Sequence, residues 1–268
     1  VLTELGNWPV DNVSAAIVSD TDVAEEFGDG QRVFPLASVT KLLTAHAALV
    51  AVEEGAIELD QPAGPPGATV RHLLAHASGL PFEGLDVAAG VGEQRIYSSA
   101  GFEVLADLIA METDIGFDEY LTQAICEPLG MTATSLQGAA GHGAESSVAD
   151  LSVFARELLS PELVSRELLS EATSLQFPGL DGFVPGYGKH RPCDWGLGYE
   201  LRAHKSPHWT GSQNSPQTFG HFGQSGTFLW VDPALNVACV VLTDRAFGSW
   251  ANPLWSDFNN SVVEALSH

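Results

Sequence analysis

Phe34-Pro35-Leu36-Ala37-Ser38-Val39-Thr40-Lys41 runs directly into the apolar stretch Leu42 to Val52, where Thr44 and His46 are the only polar interruptions. A helix that is apolar nearly all round belongs inside the protein, so this segment predicts a buried helix around which the chain folds. Ser38 and Lys41 lie three residues apart and share one face of its first turn. Ser38 could serve merely as a helix cap. A capping box, however, wants an acid three residues on, and the helix N-terminus already carries partial positive charge. Lys41 occupies that place instead, in a chain with only three lysines. Burial beside a helix N-terminus drives an amine toward its neutral form, which can take a serine proton. The pair therefore reads as nucleophile and base.

The composition narrows the classes. With 268 residues and 45% hydrophobic content, the chain can bury a large core. Eleven Lys and Arg against 34 Asp and Glu leave a net charge of -23. That argues against nucleic acid and anionic membrane surfaces, which both need basic patches. Cys126, Cys193 and Cys239 are odd in number and far apart, so neither a disulfide framework nor a zinc knuckle is predicted. Glu53 and Glu54 end the longest apolar run well short of a membrane span. Val1 to Leu5 does not read as a signal peptide. The compartment is read as cytoplasmic, or exported after loss of a leader, and the oligomeric state stays open.

Working outward from the serine helix, Asn12 to Ser19 and Val23 to Phe27 read as strands joined at Asp20-Thr21-Asp22. Pro62 to Gly67 forms a rigid loop, and Thr69 to Ala75 a short helix before the stop signals Gly79 and Pro81. Ala100–Met111, Phe117–Ile125 and Ala149–Leu159 carry helical period, the last capped by Ser146 or Ser147. The final third changes to alternation: Trp195 to Arg202, Thr227 to Val231 and Asn236 to Leu242 read as strands, with a hairpin at Asp232-Pro233-Ala234-Leu235. Pro253 to Leu266 closes the chain as a helix. The expected fold is α+β: an antiparallel sheet built from both chain ends, flanked by helices, with an inserted, mostly helical lobe. The whole chain, 1–268, is expected to be one catalytic domain, its sheet lobe about 1–55 and 195–268 and its helical lobe about 56–194.

Two further motifs follow the serine motif. Arg95-Ile96-Tyr97-Ser98-Ser99-Ala100-Gly101 places a tyrosine just before a helix start. Gly220-His221-Phe222-Gly223-Gln224-Ser225-Gly226-Thr227 enters a strand with glycines that let a ligand approach the backbone. Taken together, in this order, the three resemble the motifs of the class C β-lactamase and D-alanyl-D-alanine carboxypeptidase family, which also contains carboxylesterases. Ser38-Val39-Thr40-Lys41 matches the first motif, and Tyr97-Ser98-Ser99 stands where the family has Tyr-x-Asn. His221-Phe222-Gly223 stands where β-lactamases have Lys-Thr-Gly and many esterase-like relatives His-x-Gly. Leu73-Leu74-Ala75-His76-Ala77-Ser78-Gly79-Leu80 looks like a further family signature, one usually structural. The resemblance covers roughly residues 12–266.

The resemblance implies the β-lactamase/transpeptidase fold and a serine hydrolase that needs no cofactor or metal and acts on a small-molecule acyl substrate. Ser38 would form a covalent acyl-enzyme, with Lys41 and Tyr97 sharing the proton transfers. The backbone N–H groups of Ser38 and Gln224 would form the oxyanion hole, and Ser99, His221 and Gly223 would position the substrate. Two departures bear on specificity. Ser99 is shorter than Asn and lacks its amide, and His221 is weakly basic beside Lys. Short neutral esters are therefore expected to be better substrates than β-lactams.

Lys189 lies in the loop Phe177 to Asp194 and Lys205 in the loop Ala203 to Phe219; with His190, Arg191, Arg202, His204 and His208 they form a basic cluster flanking the strand at Trp195. They read either as solvated loops or as a cationic rim for an anionic substrate. The rival functions are weaker. His72 and His76 have helical spacing, but no Glu follows His72 in the His-Glu-x-x-His pattern, and no Gly-x-Ser-x-Gly elbow is present. A catalytically silent binding relative remains the alternative to an active hydrolase.

Overall fold

The computed structural model describes residues 1–267. Its strands are β1 (Val13–Ser19), β2 (Val23–Phe27), β3 (Val33–Pro35), β4 (Ser135–Leu136), β5 (Ala144–Ser147), β6 (Gly182–Val184), β7 (Gly188–His190), β8 (Glu200–Leu201), β9 (Phe219–Gly223), β10 (Thr227–Asp232) and β11 (Val237–Thr243). The helices are α1 (Thr40–Glu53), α2 (Val70–Leu74), α3 (Ser99–Thr113), α4 (Phe117–Leu121), α5 (Glu127–Leu129), α6 (Val148–Leu159), α7 (Arg166–Ala172) and α8 (Ala251–Leu266).

Six strands form the main antiparallel sheet in the order β2-β1-β11-β10-β9-β8. The two chain ends meet at its centre, where Val13 pairs with Thr243 and Ser19 with Val237. Successive side chains on a strand point to opposite faces, and here they enter two separate cores. Ala16, Val18, Leu229, Val231, Val240 and Leu242 join the core containing α1 and α6. Ala15, Ile17, Phe228, Trp230, Cys239 and Val241 join the one containing Trp255, Phe258 and Val262 of α8. Burial on both faces makes β10 and β11 nearly continuous apolar runs, where alternation is the sequence expectation.

The central helix α1 is buried from Thr40 to Ala51. Its two polar interruptions are satisfied inside: Thr44 donates to the Ala140 carbonyl at 2.7 Å, and His46 lies 3.0 Å from the Tyr199 hydroxyl and 3.1 Å from Glu157. Buried polar groups require such partners.

Several sequence expectations need correction. Trp195 to Arg202 is not a continuous strand: Glu200–Leu201 alone is β8, with Trp195 joined to Glu200 by an isolated bridge. Gly198 turns the chain toward α1 at φ +85°, where a side chain would collide with the Ala45 methyl, and its N–H donates to Leu74. Phe177 to Asp194 is no plain loop, because β6 and β7 form a hairpin within it. Helix α7, capped by Ser165, was not expected. The predicted helix from Phe117 continues through a π-helical segment, Thr122–Cys126, into α5 and ends at Gly130 in the left-handed conformation. Helix α6, placed by sequence in the helical lobe, packs on β1 and β11.

Candidate active site

Ser38 lies in a 3₁₀ turn, Ala37–Val39, immediately before α1. Val39 occupies the N-cap position of α1 and no side chain caps the helix, so the capping role is not the one Ser38 plays. Ala37 has φ 46°, the left-handed region that an alanine adopts only at a cost. That bend presents Ser38 to a cavity of about 760 Å³.

Lys41, one turn further on, is fully buried. Its Nζ donates to Ser99 Oγ at 3.0 Å and to the Gly141 carbonyl at 2.9 Å, and sits 4.7 Å from the centre of the Tyr97 ring. Burial pulls its pKa down to about 7, against a smaller opposing pull from the Glu103 carboxylate. A neutral amine has two N–H bonds and one lone pair. The two acceptors can take both protons, which leaves the lone pair for a third direction.

Tyr97 reaches the site from the segment before α3, whose N-cap is Ser98, accepting from Gly101 N–H at 2.9 Å. Burial drives the phenol pKa up, partly opposed by the nearby Ser38 side chain, so the phenol stays protonated at neutral pH. Its oxygen lies 3.4 Å from His221 Nε2. His221 Nδ1 donates to the Phe222 carbonyl at 2.7 Å, a bond that fixes the tautomer with Nε2 as acceptor. Burial, helped by the Lys41 charge, lowers the His221 pKa to about 4. No fixed positive charge stands at this position near neutral pH.

Gly223 ends β9 where it passes the serine turn. A side chain there would collide with the Leu36 carbonyl, and Thr227 Oγ1 ties the same carbonyl at 2.9 Å. This close approach brings Gln224 to the cavity wall beside Ser38. Among the described residues neither the Ser38 nor the Gln224 amide donates to a protein acceptor.

The sequence-predicted residues thus assemble: Ser38, Tyr97, His221 and Gln224 line one cavity, and Lys41 lies beneath it. Ser99 is behind Lys41 and Gly223 supports the wall, both away from the cavity surface. His72 and His76 diverge: His72 contacts Thr69 and stacks on Phe177, whereas His76 accepts the Ser98 N–H at 3.1 Å and packs on Tyr97. No group of three or more His, Cys, Asp and Glu side chains suited to a metal ion occurs among the described residues. No helix among them is long and apolar enough to cross a membrane.

The basic cluster does not form the rim imagined from sequence. Lys205 is buried, donating to Glu200 at 2.9 Å and to the carbonyls of Asp194 and Leu201, and His208 also meets Glu200 at 3.1 Å. Arg202 donates to backbone carbonyls. Of the cluster only Lys189 lines the cavity, and it shares Asp181 with Arg191, at 3.7 and 3.2 Å. Arg95, two residues before Tyr97, carries no local sign of its role in the sequence. Its buried guanidinium donates to the carbonyls of Ala75, Cys193, Gln176 and Phe177, binding three chain segments around the Tyr97 approach.

The family model named Beta-lactamase matches residues 13–262. The chain belongs to the beta-lactamase family. A solved structure described as a beta-lactamase from Mycobacterium bovis shares 56% identity over 100% of this chain and 99% of that one, at a TM-score of 0.98. A beta-lactamase/D-alanine carboxypeptidase from Yersinia pestis is 21% identical, covers 98% and 95% of the two chains, and superposes at 0.77, a likeness of fold. Among curated relatives, the D-alanyl-D-alanine-carboxypeptidase/endopeptidase AmpH of Escherichia coli is 26% identical over 37% of this chain and 36% of its own length. The match to another curated relative, from Salmonella, covers 48% of that protein. The curated matches thus span about half, or less, of the relatives' own lengths. The family is one of serine hydrolases with this mixed fold.

Proposed function

We propose that the chain is an active serine acyl-hydrolase that prefers neutral esters to β-lactams. The observation that carries this reading is Lys41: a fully buried amine with a pKa near 7, one helical turn from Ser38. A base poised near the working pH is what proton abstraction requires. A silent binding protein has no use for burying such an amine, which disfavours the charged form.

In the proposed reaction Ser38 Oγ attacks the ester carbonyl as its proton passes to the Lys41 lone pair, directly or through the Tyr97 phenol. The tetrahedral oxyanion is held by the Ser38 and Gln224 N–H groups, each such donor typically worth about 100- to 1000-fold in rate. Collapse breaks the bond to the leaving alkoxide, which takes a proton from Tyr97 while Lys41 reprotonates the phenol. Water then attacks the acyl-enzyme with the same two groups moving its proton. The raised phenol pKa favours Lys41 as the resting base and Tyr97 as the relay. His221 orients Tyr97 but supplies no charge for a β-lactam or peptide carboxylate, and Ser99 answers to Lys41 instead of to substrate.

The test is turnover of p-nitrophenyl acetate by wild type, Ser38→Ala and Lys41→Arg. Both variants should stay folded and lose nearly all activity, since Arg cannot deprotonate. A wild type that turns over no ester, and carries no adduct at Ser38 after fluorophosphonate treatment, would instead be the silent binding protein.

A further inference from the structure

We infer that the acyl group this site selects is large and apolar, an aromatic or medium-length aliphatic chain, in preference to a short or carboxylate-bearing one. The inference deepens the acyl-hydrolase reading and rests on it. A cavity of about 760 Å³ is in the range that encloses drug-sized ligands, and an acetyl group would leave most of it to water. Its walls are largely apolar: Phe82, Ile96, Phe183, Val184, Trp195 and Phe222. Phe82 and Phe183 stand 50% and 58% exposed at that cavity, apolar rings held in water beside the nucleophile. Solvated aromatic surface at the edge of a pocket is characteristic of a ligand site.

The charged groups nearby are already engaged. Lys189 and Arg191 share Asp181, Lys205 is enclosed by Glu200 and two carbonyls, and Arg95 is held by four carbonyls. A carboxylate entering the cavity would have to displace one of these pairings, whereas an apolar chain displaces only water. The leaving alcohol must depart and a water must enter before deacylation, so the leaving group belongs on the solvent side of Ser38. The acyl group, which stays bound to Ser38 between the two steps, then lies against the apolar walls, Phe82 and Phe183 included.

Burying one methylene against such walls raises kcat/KM by about three- to fourfold. Octanoate, with six methylenes more than acetate, should exceed it by roughly 100-fold or more even when burial is incomplete. The experiment measures kcat/KM for the p-nitrophenyl esters of acetic, hexanoic and octanoic acid and for the p-nitrophenyl half-ester of adipic acid. Wild type is compared with the double variant Phe82→Ser with Phe183→Ser, whose changes fall on exposed side chains. The expected result is a rise with chain length, an adipate half-ester at least tenfold below hexanoate, and an octanoate-to-acetate ratio about tenfold smaller in the variant. Acetate turned over as well as octanoate, an adipate half-ester as good as hexanoate, or an unchanged ratio in the variant each overturns the inference. In those cases Ser38-dependent acetate turnover leaves the acyl-hydrolase reading standing. No ester turnover together with an unlabelled Ser38 overturns both.

Discussion

The pH dependence of acylation isolates Lys41, because its neighbours titrate elsewhere. His221 is driven down to about 4, His76 well below the usual imidazole range, and the Tyr97 phenol upward, all chiefly by burial. With Lys41 at about 7, about one amine in eleven is neutral at pH 6 and ten in eleven at pH 8. For a neutral ester, kcat/KM should therefore rise about tenfold between pH 6 and 8 and level off above. An ordinary lysine would give no plateau below about pH 10. The perturbation is Glu103→Gln. Glu103 Oε1 accepts the Gly141 N–H at 2.9 Å, and the Gly141 carbonyl accepts from Lys41; a Gln oxygen can keep the first bond while losing the charge. An attraction of about 1 kcal/mol, the order expected between two charges in a partly solvated site, is about 0.7 of a pH unit. The sign follows from charge: removing the anion favours the neutral amine, so the midpoint moves to lower pH. The assay is kcat/KM for p-nitrophenyl acetate from pH 5 to 9 in both proteins. A wild-type midpoint near 10, or one that Glu103→Gln leaves in place or moves upward, would refute the assignment.

Three further outcomes are expected. Gly223→Ala should lower kcat about 100-fold or more with a smaller change in KM, because the new methyl meets the Leu36 carbonyl and displaces the Gln224 amide; steady-state kinetics on a p-nitrophenyl ester reads it. His221→Lys, which puts a cation into the cavity wall, should raise the ratio of chromogenic cephalosporin to p-nitrophenyl acetate turnover at least tenfold, and efficient cephalosporin hydrolysis by the wild type would contradict the premise. Arg95→Leu leaves three buried carbonyls and one half-buried one without their charged donor and should cost about 3–5 kcal/mol in urea denaturation.

The serine helix, the strands from both chain ends and the three motifs were legible because each is a local pattern. Apolar residues all round mark a buried helix, β-branched and aromatic segments between turn signals mark strands, and polar side chains at a helix mouth mark chemistry. What escaped depends on distant partners. Trp195 to Arg202 alternates like a strand, yet Gly198 is turned by the Ala45 methyl, a neighbour from α1. Lys205 and His208 read as surface cations because nothing local discloses that Glu200 waits for them in the core. Arg95 stood inside a quoted motif, but its four acceptors come from segments up to 98 residues away. Ser99 was read by its place beside Tyr97 as a substrate contact; its hydrogen bond to Lys41 is visible only in three dimensions.

The central claim is that Ser38 carries the acyl group during turnover. Mixing the protein with excess p-nitrophenyl ester, quenching in acid within the first turnovers and weighing the intact chain tests it directly. The account predicts a mass gain of one acyl group, located by peptide mapping to Ser38 and absent from Ser38→Ala. Turnover with no acylated chain at any quench time, or an acyl group mapped to another residue, would contradict it.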